Sequence, residues 1–199
     1  IFEHKNQRMS ILGIIPARFA SSRFPGKPLA MIAGKSMLAR VVQQAQKATL
    51  LSEVIVATDD EHIVAHANQL GVKVVMTAVE HPSGTDRCFE AYKKSGSKAA
   101  YVLNIQGDEP FLNPLQIDEL AAVCDGKTEI ATQMIVCTDP DVLKDQGEVK
   151  IALGVNNQAL YFSRNIIPAL KNVPMHEWHL HHTYYRHVGM YAYRADVLE

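Results

Sequence analysis

Ile11-Leu12-Gly13-Ile14-Ile15 is a continuous apolar run, and Pro16-Ala17-Arg18-Phe19-Ala20-Ser21-Ser22-Arg23-Phe24-Pro25-Gly26-Lys27-Pro28 follows it without a break. An apolar run with no polar alternation suits a strand covered on both faces, the pattern of a parallel sheet between helices. The residues after it are too rich in Pro, Gly and Ser to continue a strand, so they read as a loop leaving its carboxyl end. A buried strand opening into a polar loop is the first step of an α/β repeat.

The repeat continues along the chain. Ser36 is placed to cap a helix whose apolar positions Met37, Leu38, Val41, Val42, Ala45 and Ala48 keep a 3.6 period. A strand is expected at Val54-Ile55-Val56-Ala57-Thr58, ending in Asp59-Asp60, and then a helix with Ile63, Val64, Ala67 and Leu70, stopped by Gly71. Val72 to Met76 reads as a third strand, and Pro82-Ser83-Gly84-Thr85 as a turn into a helix over 86–95. A fourth strand, Tyr101 to Ile105, runs into Gln106-Gly107-Asp108-Glu109-Pro110. Strands alternating with helices across short links imply right-handed crossovers. Beyond about Glu129 the character changes. Val149–Leu153 and Ala159–Phe162 flank Asn156-Asn157, a hairpin signal, and His187–Tyr193 alternates as a further strand. The expected architecture is α/β: a mostly parallel sheet with helices on both faces, and a smaller antiparallel subregion. The organisation expected is a polar leader 1–8 ahead of a natural start at Met9, then one domain, 9–199, with halves 9–128 and 129–199.

Composition excludes several classes. A formal net charge of −1 with no block of like charge argues against nucleic acid or a membrane surface as partner. Cys88, Cys124 and Cys137 form no CxxC pair, so a zinc ribbon, a redox dithiol and a disulfide framework are set aside in favour of packed, reduced thiols. No apolar run reaches membrane-spanning length, and no signal-peptide core stands at the start.

In an open parallel sheet, ligands bind beyond the carboxyl ends of the strands. Two loops belong there. In 16–28, Arg18, Arg23 and Lys27 gather with the hydroxyls of Ser21 and Ser22. Such a loop suits a polyphosphate, with cations neutralising charge and hydroxyls and backbone N–H groups donating hydrogen bonds. In 106–110, Asp108 supplies a carboxylate at the end of a buried strand, where a magnesium ion shared with phosphate oxygens would be held. Glu109, ahead of Pro110, reads as structural. Gly34-Lys35-Ser36 imitates the end of a Walker A motif, but Leu29 stands where that motif needs glycine, and no GxGxxG fingerprint occurs. The run His176-Glu177-Trp178-His179-Leu180-His181-His182 lacks HExxH spacing and a cysteine partner, so it reads as a solvated loop before a zinc site.

The segment 16–29 resembles the nucleotide loop of the CMP-Kdo synthetases (3-deoxy-manno-octulosonate cytidylyltransferases), where Kdo is an eight-carbon sugar acid. Four further segments agree in order and spacing: His81-x-Ser83-Gly84-Thr85-Asp86-Arg87, Asn104-x-Gln106-Gly107-Asp108-Glu109-Pro110, Ala159-Leu160-Tyr161-Phe162-Ser163-Arg164, and Arg186-His187-Val188-Gly189-Met190-Tyr191-x-Tyr193-Arg194. The resemblance implies a Rossmann-like nucleotidyltransferase fold, with 9–128 as nucleotide-binding half and 129–199 for sugar binding and dimerisation. It implies an enzyme that transfers CMP from CTP to Kdo for lipopolysaccharide synthesis, with Mg²⁺, in the cytoplasm, as a homodimer. Arg18, Ser21, Ser22 and Lys27 would hold the triphosphate with help from Arg23, and Ser83, Thr85 and Arg87 would lie beside cytosine and ribose. Arg18, Lys27 and the metal carboxylate Asp108 would carry catalysis. Gln106, Arg164, His187 and Tyr191 would line the Kdo pocket, with Arg164 suited to the sugar's carboxylate.

The chain departs from the pattern at Pro82, where the family usually has Gln, and family members continue for several dozen residues beyond a point like Glu199, through a second magnesium aspartate. Alternatives are a cytidylyltransferase for another acidic sugar, or a CTP-binding protein without catalysis. A glycosyltransferase would need an Asp-x-Asp metal motif. Asp139-Pro140-Asp141 has that spelling but reads as a turn past the sheet half.

Overall fold

The computed structural model describes residues 9–20 and 24–198. In chain order the elements are strand β1 Ile11–Ala17, a 3₁₀ turn Lys27–Leu29, strands β2 Met31–Ile32 and β3 Lys35–Ser36, helix α1 Met37–Ala45, β4 Glu53–Thr58, α2 Glu61–Gln69, β5 Lys73–Met76, α3 Gly84–Ser95, β6 Tyr101–Asn104 and α4 Pro114–Ala122. Then come β7 Ile130–Cys137, α5 Pro140–Lys144, β8 Lys150–Leu153, β9 Ala159–Ser163, a 3₁₀ turn Met175–Glu177, α6 Trp178–His181 and β10 Tyr184–Arg194. Among the described residues they form two compact units, one running to residue 131 and resuming at 190, the other spanning residues 132–189.

In the first unit β5, β4, β1 and β6 pair in that order, all parallel, and residues 191–194 of β10 add to β6 antiparallel. Side chains alternate across this sheet because the strand period is two. Ile11, Ile15, Val56, Tyr101 and Leu103 face one layer with Leu38, Val41 and Val42 of α1, Ile63 of α2 and Ile117 of α4. Leu12, Ile14, Ile55, Ala57 and Val102 face the other, against Cys88 and Ala91 of α3. Helices therefore cover both faces. Burying each such aliphatic side chain contributes about 1.5–3 kcal/mol, which explains why β1 is apolar at every position the layers cover.

Local chemistry sets the ends. Ser36 caps α1 by accepting from Ala39 N at 3.0 Å, as its position before the apolar period predicts. Asp60 caps α2 through His62 N and Ile63 N, and Gly71 follows that helix with φ of 68°. Ala33 and Gly34 carry φ of 44° and 80° in the tight turn joining β2 to β3, so Gly34-Lys35-Ser36 is a hairpin and a helix cap and not a phosphate loop.

The second unit is a smaller antiparallel structure. β8 pairs with β9 across Asn157, which has φ of 58°, the hairpin expected from Asn156-Asn157. Tyr185 and Arg186 of β10 pair with β8, and β7 pairs with β10. Cys137, Leu143, Trp178 and Tyr184 form its core. The Trp178 indole donates to Val173 O at 2.9 Å and the Tyr184 hydroxyl to Pro168 O at 2.6 Å, so both aromatic polar tips are satisfied. The His176–His182 run lies in this unit, and no group of three or more His, Cys, Asp or Glu suited to a metal ion occurs among the described residues. All three cysteines are free and buried. No helix among the described residues is long and apolar enough to cross a membrane.

Candidate functional site

The order β5-β4-β1-β6 reverses direction at β1. The chain leaves β1 for β4 on one side, continues outward to β5, then returns to β6 on the other side. The connections on either side of β1 run apart, so a crevice opens between β1 and β6 at their carboxyl ends. The loops entering it are the two that the sequence singled out.

They touch. A methyl group on Gly107 would come within 2.6 Å of the Pro16 carbonyl oxygen, so only glycine lets the β6 loop lie against the β1 loop. The loops are also bridged by charge, with Lys27 Nζ 2.6 Å from Asp108 Oδ2. Both side chains are partly exposed, so the pair adds little to stability and keeps both charges within reach of a ligand. Gly26, at φ of 71°, turns the loop back by donating to Phe19 O at 2.9 Å, which sets Lys27 at the start of the 3₁₀ turn. Arg18 is exposed immediately after β1. Ser21, Ser22 and Arg23 lie outside the described residues.

The amino end of α3 enters the same crevice. Gly84 lies against Pro16, a Cβ there being 3.4 Å from the proline Cγ. Ser83 caps the helix through Asp86 N at 3.2 Å. Thr85 Oγ1 receives a hydrogen bond from Asn104 Nδ2 at 3.3 Å and lies 3.4 Å from the Tyr193 hydroxyl. A helix amino terminus carries partial positive charge and unpaired N–H groups, which suits an anionic ligand. Tyr191, opposite Asn104 in register, stacks on Tyr193 with ring centroids 5.8 Å apart, and burial pushes both phenols above their usual range. Gln106 is half-buried at the start of the β6 loop.

Arg87 is placed differently from Ser83 and Thr85. It is buried, and its guanidinium is committed to Asp59 Oδ2 at 2.7 Å, Thr77 Oγ1 at 2.5 Å and Ala78 O at 3.2 Å. In the second unit, Arg164 Nη1 donates to Gln146 O at 2.7 Å and Gly147 O at 2.9 Å. Lys150 is buried beneath that loop, donating to the carbonyls of Asp145, Glu148 and Arg164, and burial lowers its pKa. His187 Nε2 is 2.9 Å from Thr132 Oγ1, and its ring meets Phe162 edge-on at 5.1 Å. The Thr132 hydroxyl also reaches Val188 O at 3.2 Å. Burial lowers the His187 pKa below its ordinary value.

This geometry has relatives. The cytidylyltransferase family pattern matches residues 12–199. A 3-deoxy-manno-octulosonate cytidylyltransferase of Bacteroides thetaiotaomicron is 49% identical over 195 residues, covering 96% of this chain and 77% of the relative. The chain belongs to the 3-deoxy-manno-octulosonate cytidylyltransferase family. A second member, from Cytophaga hutchinsonii, is 46% identical over 97% of this chain and 78% of its own length. A CMP:2-keto-3-deoxy-manno-octonic acid synthetase, solved in complex with CTP, superposes with a TM-score of 0.86 at 37% identity, covering 95% of this chain and 76% of that one.

Within this cytidylyltransferase, Lys27, Arg18, Asp108, Ser83, Thr85, Gln106 and Tyr191 belong to the unit that holds the crevice, and Arg164 and His187 to the other. Sequence reading did not assign roles to Asp59, Thr77, Glu90, Asn104 or Tyr193. The signals were a polar Asn closing an apolar strand, and an Asp directly before the helix-capping Asp60.

Proposed function

We propose that the protein transfers CMP from CTP to the anomeric hydroxyl of Kdo and releases pyrophosphate. The observation that carries this reading is the crevice between β1 and β6, where Lys27 and Asp108 meet at 2.6 Å and the amino end of α3 packs on Pro16, with Arg18 exposed at the carboxyl end of β1. Cations, helix N–H groups and one carboxylate in a single cleft form a donor set for a triphosphate. Family membership names the nucleotide and the sugar.

Asp108 would hold Mg²⁺. The donor set fits, because magnesium takes one or two carboxylates and completes its shell with water and phosphate oxygens. Bound there, the ion would supply charge neutralisation on the phosphate oxygens. Arg18 and Lys27 stabilise the charge that grows on the α-phosphorus oxygens and on the leaving pyrophosphate. The anomeric oxygen of Kdo forms the new bond to the α-phosphorus as the bond to the β-phosphate bridging oxygen breaks, and the hydroxyl proton passes to solvent or a neighbouring base. No covalent enzyme intermediate is needed. Ser83 and Thr85 face the cytidine end, and Gln106 and Tyr191 serve the sugar. Arg164 and His187 give the second unit a guanidinium and a neutral imidazole, chemistry suited to an acidic, hydroxyl-rich sugar.

We assign the activity to lipopolysaccharide synthesis in the cytoplasm, and the working form to a homodimer. What supports a dimer is β9, an edge strand on which Leu160 and Tyr161 are 66% and 60% exposed.

A panel of acidic sugars offered with CTP tests the substrate, the product being identified by mass spectrometry. Kdo as the preferred acceptor is expected. Turnover of another acidic sugar with Kdo refused would replace this assignment, and CTP binding without turnover of any sugar would favour a non-catalytic binding protein.

A further inference from the structure

Loop 77–82 joins β5 to Ser83, and α3 reaches back to hold the loop that launches it. Thr77 is tied to the end of β4, its N and Oγ1 both donating to Thr58 O at 2.8 and 3.1 Å. Arg87 then takes Thr77 Oγ1, Ala78 O and Asp59 Oδ2 with one guanidinium. One turn further along α3, Glu90 Oε2 accepts from Ala78 N at 2.8 Å and meets His81 Nε2, and Lys94 holds Glu90 Oε1 at 2.6 Å. Arg87, Glu90 and Lys94 recur at intervals of three and four, so they share a helix face. The loop is thus fixed at both ends, by Thr77 and Ala78 on one side and His81 on the other, immediately before Ser83-Gly84-Thr85.

A buried ion pair such as Arg87–Asp59 is a poor source of stability, because desolvation offsets much of the attraction and a well-packed apolar pair often serves as well. What it supplies is direction, since a planar guanidinium bonded to three acceptors fixes all of them relative to α3. Glu90 adds the same constraint at the far end of the loop. The height at which Ser83, Gly84 and Thr85 enter the crevice is set by these contacts, while Pro16 limits how far Gly84 can advance.

We propose that Glu90, with Arg87 behind it, is a positioning residue for the nucleotide: by pinning Ala78 and His81 it holds Ser83–Thr85 against the cytidine end of CTP, and selection of the base depends on that pin. The proposal rests on the CTP-binding reading above.

Glu90 is the better probe, because loss of Arg87 would strand a buried carboxylate. Glu90 borders the surface, and its partners His81 and Lys94 can turn to water. The experiment compares wild type, Glu90→Ala and Glu90→Gln by calorimetric titration with CTP and with UTP, by steady-state kinetics with CTP and Kdo varied in turn, and by thermal unfolding. Glu90→Ala is expected to weaken CTP binding and raise KM for CTP about tenfold, with KM for Kdo and kcat within about twofold of wild type. Its preference for CTP over UTP should narrow. Glu90→Gln, whose amide oxygen can still accept from Ala78 N and His81, should recover most of the loss. CTP binding by Glu90→Ala equal to wild type overturns the proposal, as does a fall in apparent kcat that tracks the folded fraction while both KM values stay at wild type. If wild type binds CTP but never releases pyrophosphate with Kdo, the transferase reading fails, and the calorimetric comparison still decides the role of Glu90.

Discussion

Gly107 shows how one missing methyl group lets two loops build a site. Its constraint is space and not conformation, because the obstacle to a Cβ is the Pro16 carbonyl oxygen at 2.6 Å, a backbone atom that cannot swing aside. Gly107→Ala should therefore cost about 1–3 kcal/mol in urea denaturation, and should lower CTP affinity further by forcing the β1 and β6 loops apart. Two titrating groups give pH predictions of distinct range. Burial would raise the Glu90 pKa, but bonds from Lys94, His81 and Ala78 N outweigh it and hold the carboxyl down, from 4.5 to about 2. A carboxyl depressed in the fold binds its proton first in the unfolded chain, so its contribution is present above about pH 4.5 and lost as pH falls towards about 2. Wild type should lose more stability than Glu90→Gln over that interval, measured as urea midpoints. His187 is also depressed, by burial, but as a base it is neutral in the fold. The unfolded chain takes up its proton near pH 6.5, so stability should decline as pH falls below 6.5, and His187→Gln should flatten that decline. A decline of equal size in His187→Gln would contradict the assignment.

Among the elements, α1 offers a test that separates folding from the site. Ser36 is buried, caps Ala39 N and lies 2.6 Å from His66 Nε2, so Ser36→Ala should cost about 1–2 kcal/mol of stability in denaturant unfolding. CTP affinity should stay unchanged, because the hydrogen bonds of Ser36 run to Ala39 and His66, which belong to α1 and α2 and not to the crevice loops. α1, α2 and α3 and strands β1, β4, β5 and β6 were legible because each couples a clear hydrophobic period to a cap or a glycine stop, as with Ser36, Asp60 and Gly71. α4 and β7 were not anticipated. α4 rests on Ile117, Leu120 and Ala121 packed against the sheet and on a capping box of Asn113 with Gln116, a weaker signal. β7 carries Thr132 and Gln133 amid its apolar residues and takes its strand form from pairing with β10, a long-range partner that local pattern cannot show. On edge strand β9, replacing Leu160 with Glu should shift a homodimer to monomer in light scattering, whereas an unchanged mass would remove β9 from the interface.

For the whole molecule, the sheet order placed the site, and the order was only partly readable. The alternation of strands and helices predicts parallel pairing, and the two polar loops predict which strand ends matter. The return of residues 191–194 of β10 to β6 has no local signature, because it depends on Tyr191 finding Asn104 across the chain. The residues that the motifs single out were legible as residue types in two loops, and the fold brings those loops together at Lys27 and Asp108. The pairs Asp59–Arg87 and Glu90–His81 have no counterpart in the sequence pattern, since a buried guanidinium and an exposed one read alike in sequence. The account as a whole stands on one reaction at one crevice. The measurement that bears on it most directly is pyrophosphate release from CTP with magnesium, with Kdo present or omitted, on this chain and on Asp108→Ala. The Lys27–Asp108 pair is partly exposed, so the variant should stay folded. Kdo-dependent release that falls about a hundredfold or more in Asp108→Ala is the predicted result. Release that ignores Kdo, or that survives in Asp108→Ala undiminished, would contradict it.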